Sequence, residues 1–496
     1  MTDPRTPLGG LRIAIVRPIG NVVHDTRLHN VARSLARAGG DVVVLYLGTQ
    51  QEGRDEVDVD GVRWLSLPTS GLYLGAAMQD KRDRANRRIL GPNGGRRQVV
   101  ARRRRALHLA ESAERLADPS TTGLERLGLR SGVLRMEAGR GFDLLQERIS
   151  RKLYRTRESW RDQITIGTSW RRQAPDFYAF EKLFAPTLDE LAPDVVHAHD
   201  LPALGVAVRH RRRRARGATP PLVVFDAIED WAGLPHYSYI TPRYLAAMQK
   251  YEAEYIGDVD AVTTVSVTVA DALAQRRPAI PHAAIVMNCP RLDTQQPCPT
   301  DVRTELGVDA GVPLMLYSGG INEARGVDVA VAALAYLPEW RLGVVALPYP
   351  HKMEGALRAQ AEKLGVADRL HFGPPVPGSQ ILSYLRTADV GLIPISTQFA
   401  NLRAAMPNKL FEYTGAGISI VSSDCREMAD FIATHDLGGS FTYPSAKQLA
   451  AAVAESYRRH PHGLGAERVA ELSDVITWES QARVLVDLYA GLRGQR

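Results

Sequence analysis

YSGGINEARGVDVAVAAL, residues 317–334, sets the end of an apolar run against two glycines, then an Arg-Gly pair that opens an amphipathic segment. The run before it, PLMLYS, is short and continuously apolar, as expected of a strand buried on both faces of a parallel sheet. A strand that passes to a helix through glycine gathers backbone N–H groups and a positive dipole end, one way to hold an anion. Arg325 stands just before that helix, where a guanidinium can grip phosphate oxygens in pairs. The stretch is neither the dinucleotide G-x-G-x-x-G nor a P-loop, because no G-K-[ST] follows. Taken alone, it reads equally well as a tight turn with a surface arginine.

The pattern repeats outward from this point. PLMLYS, RLGVVAL, RLHFG, DVGLIPI and ISIVSS read as strands, with helices at about 326–336, 351–364, 378–386, 407–415 and 446–459. Upstream, LRIAIV, DVVVLYL and VRWLSL surround a helix at about 27–38, and DVVHAHD (194–200), PLVVFD (221–226), DAVTTVS (260–266) and AIVMN (284–288) continue the series. Two such series imply an α/β chain of two doubly wound, Rossmann-like parallel-sheet domains facing a cleft, with ligands beyond the carboxyl ends of the strands. The first domain spans 1–292, 293–300 is a polar, Pro-containing linker, and the second domain spans 301–475. Residues 476–496 form a leftover amphipathic helix expected to cross back to the first domain. Between about 70 and 190 the strand signal vanishes, and Arg, Ala and Glu with Leu at helical intervals predict a helical insertion, broken at GPNGG (91–95) and ADPSTTG (117–123).

At 496 residues the chain is too long for one ordinary core, and its 45% hydrophobic and 24% charged residues are those of a soluble globular protein. No apolar run approaches the ~20 residues of a spanning helix. The N-terminal apolar run resembles a first strand rather than a signal region, so a cytoplasmic location is expected. Cys289, Cys298 and Cys425 have no metal-ligand spacing and suit buried thiols. Eleven Lys/Arg against one Asp in 81–105 give a local +10, so the remainder of the +7 chain sums to −3. Further basic clusters occupy 151–172 and 209–216. They could attract anionic lipid or nucleic acid, or form a solvated helix face. The near absence of aromatic residues from 81–105 argues against single-stranded nucleic acid.

Other residues suit the edges of such a cleft. In PNKLFEY, Pro407 starts a helix with Lys409 and Glu412 one turn apart, able to meet phosphate and sugar hydroxyls respectively, or simply to pair on the surface. His197 and His199 alternate on one strand with Asp200 following; metal binding would want a third ligand, so cleft-lining polar residues are the better reading. His24-Asp25-Thr26-Arg27 lies in the first strand-helix loop and suits ligand contact at the cleft or an ordinary surface loop. Asp58-Val59-Asp60 and Asp258-Val259-Asp260 mimic a metal-binding D-x-D and read as accidental.

With these pieces assembled, the chain resembles the family 4 retaining glycosyltransferases of the two-domain GT-B fold. The resemblance rests on YSGGINEARGVDVAVAAL, FGPPVPGSQILSYLRTADVGLIPI and PNKLFEYTGAGISIVSS in the second half. In the first half it rests on HDTRLHNVARSLARAGGDVVVLYL, APDVVHAHDLPALGVAV, VFDAIEDW, DAVTTVSVTVADAL and IVMNCP, leaving out about 70–185. It implies that Arg325 meets the donor diphosphate beside Gly319 and Gly320, and that Glu412 holds the ribose. Gly373 to Val376 would lie against the nucleobase, and the backbone from Ala400 to Arg403, including Asn401, would cup the donor sugar. Gly20, His24, His199 and Asp200 fall on the acceptor side. The chain departs from the family in three places. Gly319-Gly320 stands where many members have Gly-Arg. Ala404 stands where many have a second Glu, a loss usual in the P-N-K-L-F-E-Y subgroup, with Asn408 and Lys409 taking over. Ile228 stands where a His is frequent.

The resemblance implies transfer of a sugar from a nucleotide-diphosphate sugar, UDP- or GDP-linked, to an acceptor hydroxyl with retention of configuration, by front-face attack. Arg325 and Lys409 are the expected catalytic cations, with no metal and no cofactor beyond the co-substrate. The acceptor would be a saccharide or lipid-linked, with the Arg-rich insertion docking peripherally on an anionic membrane and no nucleic acid partner. Two other readings stay open: a sugar-nucleotide epimerase on the same architecture, and a non-catalytic nucleotide- or membrane-binding scaffold.

Overall fold

In the computed structural model the described residues are 6–19, 22–48, 55–68, 122, 169–234 and 242–494. The chain divides into two compact units, residues 1–68 with 177–496, and residues 69–176. Of the second unit the description is confined to a short stretch containing the helix Trp170–Gln173. The expected helical insertion and the 81–105 and 151–168 basic segments therefore lie outside the described residues.

The larger unit holds two sheets. The first contains β1 (Arg12–Arg17), β2 (Asp41–Leu47), β3 (Asp55–Val57), β4 (Arg63–Leu67), β5 (Val195–His199), β6 (Leu222–Ala227), β7 (Ala261–Thr264) and β8 (Ala284–Ile285). Their spatial order is β3-β4-β2-β1-β5-β6-β7-β8, parallel except for the β3–β4 pair. The second contains β9 (Leu314–Gly319), β10 (Arg341–Ala346), β11 (Leu370–Gly373), β12 (Val390–Ile393), β13 (Ser419–Ser423) and β14 (Gly438–Phe441), all parallel in the order β11-β10-β9-β12-β13-β14. Strand order reverses between β1 and β5 and again between β9 and β12. The chain thus carries two switch points, where doubly wound sheets open a crevice. This is the GT-B architecture.

The strands β1, β2, β5, β9 and β12 are almost wholly buried because helices cover both faces. Helix α1 (Thr26–Arg37) is capped by Asp25, whose Oδ1 accepts from the Leu28 N–H. Helix α2 (Leu201–Arg214) buries its first half and ends in four arginines. These do not form a free basic patch: Arg211 pairs with Asp260, Arg212 with Asp258 and Arg213 with Asp189. Asp258 and Asp260 are thereby structural counter-ions. Asp58 closes its own turn, accepting from the N–H groups of Asp60 and Val62 and from the Trp64 indole.

The terminal helix α3 (Trp478–Arg493) packs on α1, with Trp478, Leu485, Tyr489 and Leu492 in the same core as Ile13, Ile15, Leu28 and Val195. Each such aliphatic side chain contributes about 1.5–3 kcal/mol by burial. The Trp478 indole donates to Ser34 Oγ at 2.8 Å. The helix also shortens a strand. AIVMN suggested five residues, but β8 stops at Ile285 because the Met287 N–H turns to Gln481 Oε1 at 2.9 Å. Strand β14 carries no apolar run in the sequence. Gly438 (φ 146°) permits it, since a Cβ there would lie 2.0 Å from the Ile420 carbonyl oxygen.

Candidate donor and acceptor site

The stretch NKLFEYTG forms a helix, Asn408–Gly415, directed at the carboxyl end of β9. Leu410, Phe411, Tyr413 and Thr414 are its buried anchors. Tyr413 packs across Gly391 of β12, where a Cβ would come within 2.4 Å of its ring. Its hydroxyl accepts from the Ser318 N–H at 2.9 Å. This clamp fixes Lys409 beside Gly319, with a Cβ built on that glycine lying 3.6 Å from Lys409 Nζ.

Lys409 is almost fully buried, and its ammonium lies 3.6 Å from the centroid of the Tyr317 ring. Burial pushes its pKa well below the usual lysine range, and the positive charge of Arg325 adds to the push, with Glu412 opposing. Glu412 is only partly exposed, and burial raises its carboxyl to about 7 despite the attraction of Lys409. Two cations thus converge on the end of β9 with one carboxyl that is readily protonated. Such a site is pre-arranged for negative charge arriving from outside.

Arg325 ends a single 3-10 turn, Glu323–Arg325, half-buried. The next residue, Gly326, is held at φ 66° with its Cα against Pro394; a Cβ would lie 1.8 Å from the Pro394 oxygen. Gly320 offers no such crowding, and its carbonyl accepts from the Tyr317 hydroxyl at 2.6 Å. Gly373 closes β11 against Leu306, and Val376 rests partly buried on the same core. Asn408 faces the first domain across an open pocket. Asn401 has a second role: its Oδ1 accepts from the Asp230 N–H at 3.0 Å, a bond between the domains.

Ala404, one of the departures from the resembled family, is 4% exposed and packs with Val265, Val269 and Ile228 from the first domain. Its carbonyl accepts from Ser266 Oγ at 3.0 Å. A carboxylate in this apolar contact would be desolvated without a partner. The two departures, Ala404 and Ile228, therefore belong to one interdomain contact, a link that the sequence alone did not show.

The acceptor-side expectation needs correction. His199 is fully buried and Asp200 only 7% exposed, so neither lines the cleft. Both lie under it, His199 on central β5 and Asp200 just past it beneath the Trp231 indole. His199 sits between Asp25 and Asp226, with Nε2 3.5 Å from Asp25 Oδ2 and Nδ1 3.3 Å from Asp226 Oδ2. Burial works against its charge, but the two carboxylates hold its pKa above the usual value. Burial lowers that of His197, whose Nδ1 meets the Tyr489 hydroxyl at 2.8 Å. Asp200, at φ 72°, accepts from the Leu201 N–H and the Trp231 indole, both at 2.8 Å. Gly20 and the side chain of His24 lie outside the described residues.

A third potential metal ligand does exist beside the two histidines, Asp226. Its donor set is nevertheless wrong for a cation. Arg27 takes both carboxylate oxygens, at 2.8 and 2.6 Å, and Thr263 donates to one of them at 2.8 Å. A divalent ion there would meet a guanidinium.

Sequence reading missed two participants. Arg17, at the end of β1, lies 3.0 Å from Asp25 and 3.6 Å from Asp200. Glu229, just past β6, is exposed, and its carboxyl is pushed up by its surroundings and by Asp200, while Arg325 and Arg17 pull it down; solvent screens these effects. Glu229 stood in the sequence beside Ile228, but only the fold brings Arg325 of the other domain near it.

Family models agree with this architecture. Residues 121–295 match Glycosyltransferase Family 4, and residues 312–459 match Glycosyl transferases group 1. A D-inositol 3-phosphate glycosyltransferase of Xylanimonas cellulosilytica is 29% identical over 198 residues, 38% of this chain and 45% of that protein. One of the same description from Mycobacteroides abscessus is 26% identical over 48% of this chain and 53% of its own length. The chain thus spans about half the length of these curated relatives. Among solved structures, sucrose-phosphate synthase from Thermosynechococcus elongatus superposes with TM-score 0.63 at 14% identity, covering 98% of this chain and all of that one. HepE from Anabaena, in complex with UDP-glucose, gives 0.56 at 11% identity over 97% and 100%. The chain therefore has the GT-B fold, with one segment that matches Glycosyltransferase Family 4 followed by one that matches Glycosyl transferases group 1.

Proposed function

We propose that this chain is a retaining glycosyltransferase that moves a sugar from a nucleotide-diphosphate sugar to an acceptor hydroxyl. The observation that carries this reading is the meeting of Lys409 and Arg325 at the end of β9, beside Gly319. The bond from the sugar to the diphosphate lengthens as negative charge grows on the leaving group. Arg325, and Lys409 once the diphosphate restores its proton, favour that charged state more than the ground state in a partly dry site. Glu412 suits a ribose hydroxyl, and Gly373 to Val376 suit the base. Attack on the face the diphosphate leaves lets a phosphate oxygen take the acceptor proton, so retention needs no protein nucleophile and no metal. Solved neighbours described as bound to UDP-glucose and UDP-2-fluoro glucose support a UDP-sugar, with GDP-sugars the nearest alternative.

A thermal-shift series with UDP, GDP, ADP and TDP tests the donor site, since a ligand that binds only the folded state raises its midpoint. One nucleotide, UDP first, should stabilise selectively, and turnover should persist in excess EDTA. Equal indifference to all four would overturn the reading. Among the described residues no helix is long and apolar enough to cross a membrane. Peripheral docking through the 81–105 tract fits its +10 charge, each basic residue near an anionic leaflet contributing ~1 kcal/mol. Equal, negligible co-sedimentation with anionic and neutral vesicles would exclude that docking.

A further inference from the structure

A pocket of about 370 Å³ opens between the two domains, walled by Arg17, Asp25, Thr26, Arg27 and Asn288 of the first and by Asn408 of the second. On the glycosyltransferase reading, on which this inference rests, it faces the donor helix that carries Lys409. Two arginines in its wall invite the expectation of a phosphorylated acceptor, the kind named in the description of the curated relatives. The bonding of those arginines says otherwise.

Arg27 is 5% exposed and its donors are taken: Nε and one terminal nitrogen by Asp226, the other by the Val286 carbonyl at 2.6 Å and Asn288 Oδ1 at 2.9 Å. Turning it toward a ligand would take from fully buried Asp226 its bidentate guanidinium partner, at large cost. Arg17 lies between Asp25 and Asp200, within 3.0 and 3.6 Å, ion-paired with both although its buried Nε makes no hydrogen bond. Around the pocket, two guanidiniums therefore stand against the carboxylates of Asp25, Asp200 and Asp226, and His199 bridges two of these three from beneath. Among the described residues of this wall, an incoming phosphate finds only guanidiniums already ion-paired with carboxylates, and it meets Asp25.

What the wall does offer is hydrogen bonding. Asp25 Oδ2, exposed Thr26 and Asn408, and the amide of Asn288 can receive or donate to hydroxyls, and Ile228 adds one apolar edge. We infer that this interdomain pocket binds an uncharged, hydroxyl-rich group, so that the acceptor's receiving end is a neutral sugar or polyol and not a phosphorylated one.

Calorimetric titration of the full chain with inositol against D-inositol 3-phosphate, and glucose against glucose 6-phosphate, tests this. The neutral member of each pair should bind at least about tenfold more tightly. Asp25→Asn, which keeps the helix cap, should narrow that preference by removing the like charge. In the unaltered protein the neutral ligand's affinity should not change between low and high salt, since no ion pair forms with it. A tenfold preference for the phosphorylated members, falling with salt, would overturn the assignment. UDP and GDP titrations on the same sample report the donor site separately. Nucleotide binding combined with phosphate preference overturns the pocket assignment alone. Neutral-polyol preference without nucleotide binding leaves the pocket assignment standing and overturns the transferase reading.

Discussion

The ammonium of Lys409 rests on the face of Tyr317, 3.6 Å from the ring centroid, instead of on the carboxylate of Glu412 one turn away. The ring's negative face supports the charge in part, but burial and Arg325 together outweigh it. The site is thus short of negative charge, as the proposed diphosphate-binding role requires.

Lys409 should consequently take up a proton when the donor binds. An incoming anion raises a lysine pKa that the empty site holds low, so in alkaline buffer binding is coupled to proton uptake. Calorimetry of UDP binding in two buffers of different ionisation heat should show this uptake, and Lys409→Met should abolish it along with most of the turnover. Equal heats in both buffers would contradict the assignment.

Glu412 illustrates a conflict between stability and binding. Its folded-state pKa, about 7, lies above the unfolded value of 4.5, so the folded state binds more protons across that interval. Stability from this group therefore falls as pH rises from about 4.5 to 7 and stays lower above it. Glu412→Gln removes that penalty while keeping the shape. Above pH 7 its melting midpoint should equal or exceed that of the natural chain. Donor affinity should fall by roughly 1.5–3 kcal/mol, the worth of a hydrogen bond to a charged group. A melting midpoint lowered at alkaline pH would show that the carboxylate is structural.

Gly326→Ala should disrupt the donor side of the fold. Both the φ of 66° and the 1.8 Å approach to the Pro394 oxygen forbid a methyl group there. Strain alone costs about 1–3 kcal/mol, and the clash adds to it. Urea unfolding should show a lowered midpoint, whereas Gly320→Ala, with only one atom at 3.7 Å, should leave it nearly unchanged.

Breaking the Arg27–Asp226 pair should be among the costliest single changes in the first domain. Asp226 is fully buried, and Arg27 and the two histidines hold its carboxyl well below the usual range against the effect of burial. Arg27→Met takes the bidentate guanidinium from that buried carboxylate and leaves it to Thr263 and the histidines, at about 3–5 kcal/mol. Chemical denaturation measures it, and a loss under ~1 kcal/mol would mean that His199 can replace the guanidinium.

Local sequence determined much of this molecule by itself. Buried parallel strands need continuous apolar runs, so LRIAIV, DVVVLYL, PLMLYS and DVGLIPI announced two doubly wound sheets and the switch points that open their crevices. The placing of the proposed donor residues at the sheet edge was legible for the same local reason. Gly319, Arg325, Lys409 and Glu412 lie on loops and a helix that begin where those strands end, and strand order brings the two loops together. The acceptor side was decided only by tertiary structure. Alternating His197 and His199 look like the polar edge of a strand, and nothing adjacent reveals that the terminal helix seals them from behind through Tyr489. Nor does any spacing show that Arg27 is neutralised by Asp226 of β6, or that Asp200, just past β5, joins Asp25 beside Arg17. Charge and burial at that site are sums over segments some two hundred residues apart. Such sums exist only once the chain has folded.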